Sequence, residues 1–192
     1  MEKFLIIGLG NIGAEYAHTR HNIGFDVADA FVKKHGGSWR VDRLAEVSEI
    51  KLKGRTVTVI KPTTYMNLSG RAFRYWMDAT KTKVENTFTI VDDLALPIEK
   101  IRIRPSGSDA GHNGLRDIQM VLGNDVYPKL RFGIGNIFPK GRQVDFVLGK
   151  WLKEEIPVIE EKIYTCVDII ETFVLMGINE AMNKYNKLSF KK

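Results

Sequence analysis

The sequence predicts a single three-layer α/β domain spanning residues 1–192. Three observations carry that prediction. Strand-like and helix-like segments alternate over most of the chain. The apolar run 4–7 ends in Gly8-Leu9-Gly10-Asn11-Ile12-Gly13, a turn that bounds a buried first strand. At 192 residues and 44% hydrophobic content, the chain can bury one sizeable core.

The elements follow in order. After the first strand, Asn22 is placed to cap a helix carrying Phe25, Ala28, Phe31 and Val32 on one face. That helix ends at Gly36-Gly37. Residues 40–60 read as extended chain with a turn at Lys53-Gly54-Arg55; Val57 and Val59 face one way, Thr56 and Thr58 the other. Asn67-Leu68-Ser69-Gly70 starts a helix through Phe73, Trp76 and Met77. Residues 87–91 form a strand running into Asp92-Asp93. Residues 100–104 alternate basic and apolar, as a half-buried strand does. A short helix is expected over 113–122 and a strand over 130–134. From about residue 151 the pattern turns helical, with a break before Pro157. Ile159, Ile163, Val167, Ile170 and Val174 keep a three-to-four spacing there. Part of this C-terminal segment, residues 151–164, is expected to flank the site as a lid.

Composition narrows the function. A net charge of +6 favours polyanionic partners. Cys166 is the only cysteine, so no internal disulfide and no cysteine-built zinc site can form; its apolar surroundings predict a buried, inert thiol. Met1-Glu2-Lys3 precedes only a short apolar run, neither a signal peptide nor a membrane span. A cytoplasmic protein with no membrane association is the expectation.

The opening glycines have the G-x-G-x-x-G spacing of a dinucleotide turn. Such a turn must lead into a helix whose free amides meet the pyrophosphate. Residues 14–20 lack helical apolar periodicity, and Asp26 and Asp29 fall on the first helix rather than at the end of a second strand. A tight strand-to-loop turn accounts for the glycines better.

His21 is the best candidate base, because only histidine has an ordinary pKa near neutrality. It follows the turn at the end of the first strand, where ligands of α/β sheets bind. Asp92, first off another strand, can fix its tautomer; Asp93 is expected to serve a turn or cap. His18 is expected to be exposed, and His35 to sit near the end of the first helix. The H-x-x-H spacing of His18 and His21 carries no metal signature, so no metal is assigned. Asn67 either caps its helix or points into the site with Tyr65 or Met66 as an apolar wall. His112 and Asn113 lie between Gly111 and Gly114 at a helix start, where amides favour an anion or oxyanion. Lys100, Arg102 and Arg104 share one strand face, either solvated or facing phosphates. No G-x-S-x-G elbow is present, which leaves base-assisted attack by water.

In this order, Gly8-Leu9-Gly10-Asn11 with Thr19-Arg20-His21-Asn22, the run Pro62-Thr63-Thr64-Tyr65-Met66-Asn67-Leu68-Ser69-Gly70, Asp92-Asp93-Leu94 with Leu96-Pro97, Gly111-His112-Asn113-Gly114-Leu115, Arg131 with Gly133-Ile134-Gly135, and Phe146-Val147-Leu148-Gly149 resemble the bacterial peptidyl-tRNA hydrolase family. The resemblance covers essentially the whole chain. It implies a mixed, twisted central β-sheet flanked by helices, and hydrolysis of the ester joining a peptide to the 3′ end of tRNA. It further implies His21 as base, Asp92 as its orienting carboxylate, and Asn11, Asn67 and Asn113 as amides that hold substrate and water. Tyr16 falls at the site of the tRNA terminus, and Tyr65 and Met66 beside the peptide. His112 belongs to the substrate-binding set, and Arg102, Arg104 and Arg131 match positions of tRNA contact. No cofactor, no obligate protein partner and a monomer are the corresponding expectations. Ile12, Ala95, Asp109-Ala110 and Asn136 depart from the family pattern without touching a catalytic candidate. A tRNA-binding module without catalysis and a nicotinamide-dependent oxidoreductase are the alternatives from other classes.

Overall fold

A computed structural model describes residues 1–191 of the chain. Seven strands form one mixed sheet: β1 (Lys3–Gly8), β2 (Arg40–Asp42), β3 (Ala45–Leu52), β4 (Arg55–Pro62), β5 (Thr87–Asp93), β6 (Ile101–Arg104) and β7 (Lys129–Gly133). Their order is β2-β3-β4-β1-β5-β7-β6. β1 pairs in parallel with both β4 and β5, and β5 in parallel with β7; the outer pairings are antiparallel. Six α-helices complete the domain: α1 (Ile23–Lys34), α2 (Ser69–Ala79), α3 (Asn113–Leu122), α4 (Gln143–Val147), α5 (Ile156–Met176) and α6 (Ile178–Tyr185).

The three layers follow from the strands' two-residue period. In β1, Phe4 and Ile6 join one apolar core with α1, α5 and α6, while Leu5 and Ile7 join a second core with α2 and α3. A central parallel strand covered on both faces reads as an unbroken apolar run, which is why residues 4–7 carry no polar position. Val57 and Val59 face the first core as expected. The β3–β4 turn uses Lys53 (φ 46°) and Gly54 (φ 82°), the positive pair that two-residue hairpins favour.

The glycine turn has a packing cause. A Cβ on Gly8 would strike the Gly24 carbonyl, and one on Gly24 would meet the Ile90 oxygen at 2.6 Å. These glycines let α1 cross close over the ends of β1 and β5. Phe25 lies against Gly10 instead of entering the core, where Val27 takes the expected place. The turn leads through short 3₁₀ turns at Ala14–Tyr16 and Arg20–Asn22, and α1 begins only at Ile23. No helix start therefore lies where Gly13 would present a pyrophosphate.

α5 begins beside Pro157, as the break predicted, but its apolar stripe is buried in the first core. None of residues 151–164 is among those lining the catalytic cavity, whose wall on that side comes from α4. No helix among the described residues is long and apolar enough to cross a membrane.

Candidate active site

The C-terminal ends of parallel strands β1, β4 and β5 open onto one edge of the sheet, the usual ligand position in such sheets. Asp92 and Asp93 are the last residues of β5 itself, so the strand runs two residues further than its apolar pattern suggests. Burial of both carboxylates is tolerated because each has partners.

Asp92 joins two imidazoles. Its Oδ1 lies 2.9 Å from His21 Nδ1, and Oδ2 lies 3.1 Å from the same nitrogen. The same Oδ1 lies 3.1 Å from His112 Nε2. His112 Nδ1 accepts from the backbone N–H groups of Gly114 at 3.1 Å and Leu115 at 3.3 Å. An accepting Nδ1 puts the His112 proton on Nε2, which therefore donates to Asp92. Likewise the Asp92 carboxylate puts the His21 proton on Nδ1 and leaves Nε2 as its basic nitrogen. The cap of α3 is thus His112, and Asn113 is left exposed with its amide free of that task.

Charge and burial set the titrations. Burial resists the charged form of His21, but the hydrogen bond and charge of Asp92 outweigh it, and the net shift is upward from 6.5. Burial alone would raise Asp92; the two imidazoles reverse this and hold the carboxyl well below the usual range. The site therefore keeps an ionised carboxylate beneath a ring whose pKa is raised above its ordinary 6.5.

A cavity of about 110 Å³ lies over these groups, lined by His21, Asp92, Asn113, Arg131, Val144 and Val147 among others. Arg131, expected at the tRNA-contacting surface, is buried: it donates to the Ser108 carbonyl and lies 3.6 Å from Asp93. Asp93 also accepts from the Ala95 N–H at 2.8 Å, closing the turn expected of it. Arg102 stands opposite Arg131, and Arg104 opposite Lys129, so β6 and β7 present four cations on one face. The isoleucines of β6 lie in the core on the other face.

The remaining candidates occupy the rim or lie behind it. Asn22 does not cap α1 with its side chain: its Oδ1 accepts from the Asn11 N–H at 2.8 Å and its Nδ2 donates to the Asn11 carbonyl at 2.9 Å. This doublet clamps the Asn11 backbone to the turn that carries His21. Met66 is buried between Leu9 and α3; a Cβ on Gly114 would meet its sulfur at 2.8 Å. Tyr65 and Asn67 are exposed, Tyr16 is half-buried, and none of the three lines the cavity. Neither Asn67 nor Ser69 caps α2 with its side chain; Ser69 Oγ donates to the Met66 carbonyl at 2.7 Å. His18 is exposed against Asp26, and His35 closes the end of α1. Gln143 and Val144 of α4 were not anticipated. The only signal for them was the Phe146-Val147-Leu148-Gly149 block one turn further on.

His21, Asp92 and His112 bring their donor atoms within 4.8 Å of one another, a set that could hold a metal ion. In the geometry present, Asp92 accepts from both rings and His112 spends its second nitrogen on the α3 amides. That arrangement suits a hydrogen-bonded relay.

The family described as peptidyl-tRNA hydrolase matches residues 5–192. The chain is 51% identical to the peptidyl-tRNA hydrolase of Phocaeicola vulgatus, covering 96% of this chain and 99% of that one. It is 49% identical to that of Bacteroides fragilis, with the same coverage. The crystal structure of the Acinetobacter baumannii enzyme superposes with a TM-score of 0.91 at 32% identity, covering 97% of this chain and 95% of that one.

Proposed function

The chain belongs to the peptidyl-tRNA hydrolase family, and from that premise we propose how its residues divide the work. The enzyme hydrolyses the ester between a peptide and the 3′ end of tRNA, freeing tRNA from peptidyl-tRNA released before synthesis is complete. The single observation that carries the mechanism is the His21–Asp92 pair, 2.9 Å apart at the end of β5.

His21 Nε2 takes a proton from water as its oxygen attacks the ester carbonyl carbon. The carbonyl electrons move to oxygen, giving a tetrahedral oxyanion. Collapse breaks the bond to the ribose oxygen, and the proton held by His21 goes to that leaving oxygen. The products are tRNA with a free hydroxyl and a peptide carboxylic acid, which ionises to the carboxylate by releasing the second water proton to solvent. Asp92 fixes the tautomer and offsets the imidazolium charge as it forms. Asn113 and Asn11 donate neutral hydrogen bonds to water and oxyanion. Neutral donors stabilise the transient charge without retaining the product carboxylate.

His112 is assigned to holding Asp92 from the other side. Asn67, Tyr65 and Met66 form the peptide side of the rim, and Tyr16 lies toward the tRNA terminus. Exposed Arg102 and half-buried Arg104 face phosphates, with Arg131, buried beside the cavity, nearer the terminal nucleotide; Lys129 is wholly buried and takes no part. A cytoplasmic monomer needing no cofactor completes the reading.

The test is cleavage of peptidyl-tRNA with and without a chelator. Cleavage in both conditions supports the assignment. Loss with chelator would transfer the water activation to a metal held by His21, Asp92 and His112. Binding of tRNA without cleavage would leave a non-catalytic RNA-binding module.

A further inference from the structure

Arg20 immediately precedes the catalytic histidine, and it is only 6% exposed. An arginine buried this deeply needs partners for its charge, and both terminal nitrogens find them, while the buried Nε has no hydrogen-bond partner. Its partners all fall in one short stretch, residues 146–155. Nη1 donates to the Phe146 carbonyl at 3.0 Å, and Nη2 reaches Glu155 Oε1 at 3.4 Å. The guanidinium lies 4.1 Å over the Phe146 ring and 5.5 Å from that of Trp151. Its backbone N–H donates to the Gly149 carbonyl at 3.0 Å, and Thr19 bridges Lys150. Glu155 is held in turn, since the same Oε1 accepts from the Leu152 N–H at 2.7 Å. Gly149 leaves the space: a Cβ there would stand 2.9 Å from Nη1.

The stretch so fastened begins in α4, whose Gln143, Val144 and Val147 form the outer wall of the catalytic cavity. α4 has no buried residue of its own. A five-residue helix whose apolar contact with the core is limited to half-buried Phe146 and Val147 is too short to fix its own position. Something outside it must do so, and the fork from Arg20 is the contact the structure supplies.

We propose that Arg20 is a positioning residue that locks α4 against the catalytic cavity in register with His21, so that the wall and the base move as one body. Resting on the reading of the site as a peptidyl-tRNA hydrolase, the lock holds the ester against the base and keeps bulk water from that side. A lysine cannot substitute, because an ammonium lacks the planar fork that meets Phe146 and Glu155 together while stacking on a ring.

The experiment compares wild type with Arg20→Lys and, approaching from the other side, Gly149→Ala. Amide hydrogen exchange is read over residues 143–149, alongside kcat and KM on peptidyl-tRNA and the pH profile. The amides of Phe146, Leu148 and Gly149, which bond within this segment, are expected to exchange about tenfold faster or more in both variants, while those of β1 stay unchanged. kcat/KM is expected to fall roughly 10- to 100-fold, mostly through KM, with the acidic limb of the profile unmoved. Unchanged exchange in α4, or kcat/KM within about twofold of wild type, would overturn the proposal. So would a moved acidic limb, since Arg20 would then act on the charge of His21. Exchange is read without substrate, so an inactive wild type would sink the functional reading and leave the lock to be judged separately.

Discussion

His21 is held between opposed influences, and the balance is measurable. Its base must be neutral to act, so kcat/KM should rise with pH through a pKa above the ordinary 6.5. His21→Ala is expected to lower turnover by roughly 10²–10⁴-fold without changing the fold; steady-state rates and far-UV circular dichroism check this. Asp92→Asn removes both upward influences and leaves burial, so the acidic limb should move to lower pH. The maximal rate should fall by roughly 10²-fold or more, because the tautomer is no longer fixed. An unmoved limb in that variant would mean that another group is the base. The sign for stability is opposite for the two partners. His21, raised on folding, stabilises below its unfolded pKa, and that contribution fades as pH rises through the folded value. Asp92, lowered on folding, stabilises above its unfolded 3.8 and loses this as pH falls. Asp92 was legible in the sequence because it stands at a strand end, and His21 because it lies between the turn that closes the first strand and the start of α1, positions that local pattern reveals. The double duty of His112 was not. It depends on how closely α3 approaches β5, and that approach is set by residues far along the chain. The Asn11–Asn22 doublet was hidden for the same reason.

Elements with a broad buried face announced themselves. β1, α1, α3 and α5 carry apolar periods because they pack, whereas α4, with only Phe146 and Val147 half-buried against the core, is too short to show a period. β6 carries its prediction on the solvent side. Arg102→Ala combined with Arg104→Ala should raise KM and flatten its dependence on salt, because neutralising fewer phosphates releases fewer counterions. Rates measured across a salt series check this; an unchanged slope would place the phosphates elsewhere. α5 carries a different prediction. Its Lys162 is wholly buried, and Nζ donates to the carbonyls of Ile98 and Gly133, both at 2.7 Å, beneath the Phe132 ring. Burial drives its pKa from 10.5 down to about 7. The unfolded chain then binds the extra proton between those values, so this group favours folding increasingly as pH rises from 7 to 10.5. Lys162→Met should erase that rise and leave two carbonyls unanswered, at a cost of about 1–3 kcal/mol at alkaline pH. Urea unfolding at about pH 6 and about pH 9 reads both effects. If the variant and wild type differ equally at the two values, the lysine is not the titrating group.

For the molecule as a whole, the sheet order decides what can form and when. The strand made first, β1, sits in the middle, paired with β4 on one side and β5 on the other. A chain truncated after β4 should therefore stay sensitive to protease along residues 3–8, while the full chain protects them; limited digestion followed by mass spectrometry checks this. On the ribosome the same order imposes a wait. β5 begins about 80 residues after β1 ends, roughly 4–16 s at ordinary rates of synthesis. Through that interval an apolar strand with no polar face trails in solvent or in the care of a chaperone. An enzyme that clears abandoned peptidyl-tRNA is thus costly to abandon itself: a nascent copy dropped before β5 carries an exposed sticky strand on the kind of ester its finished siblings cut.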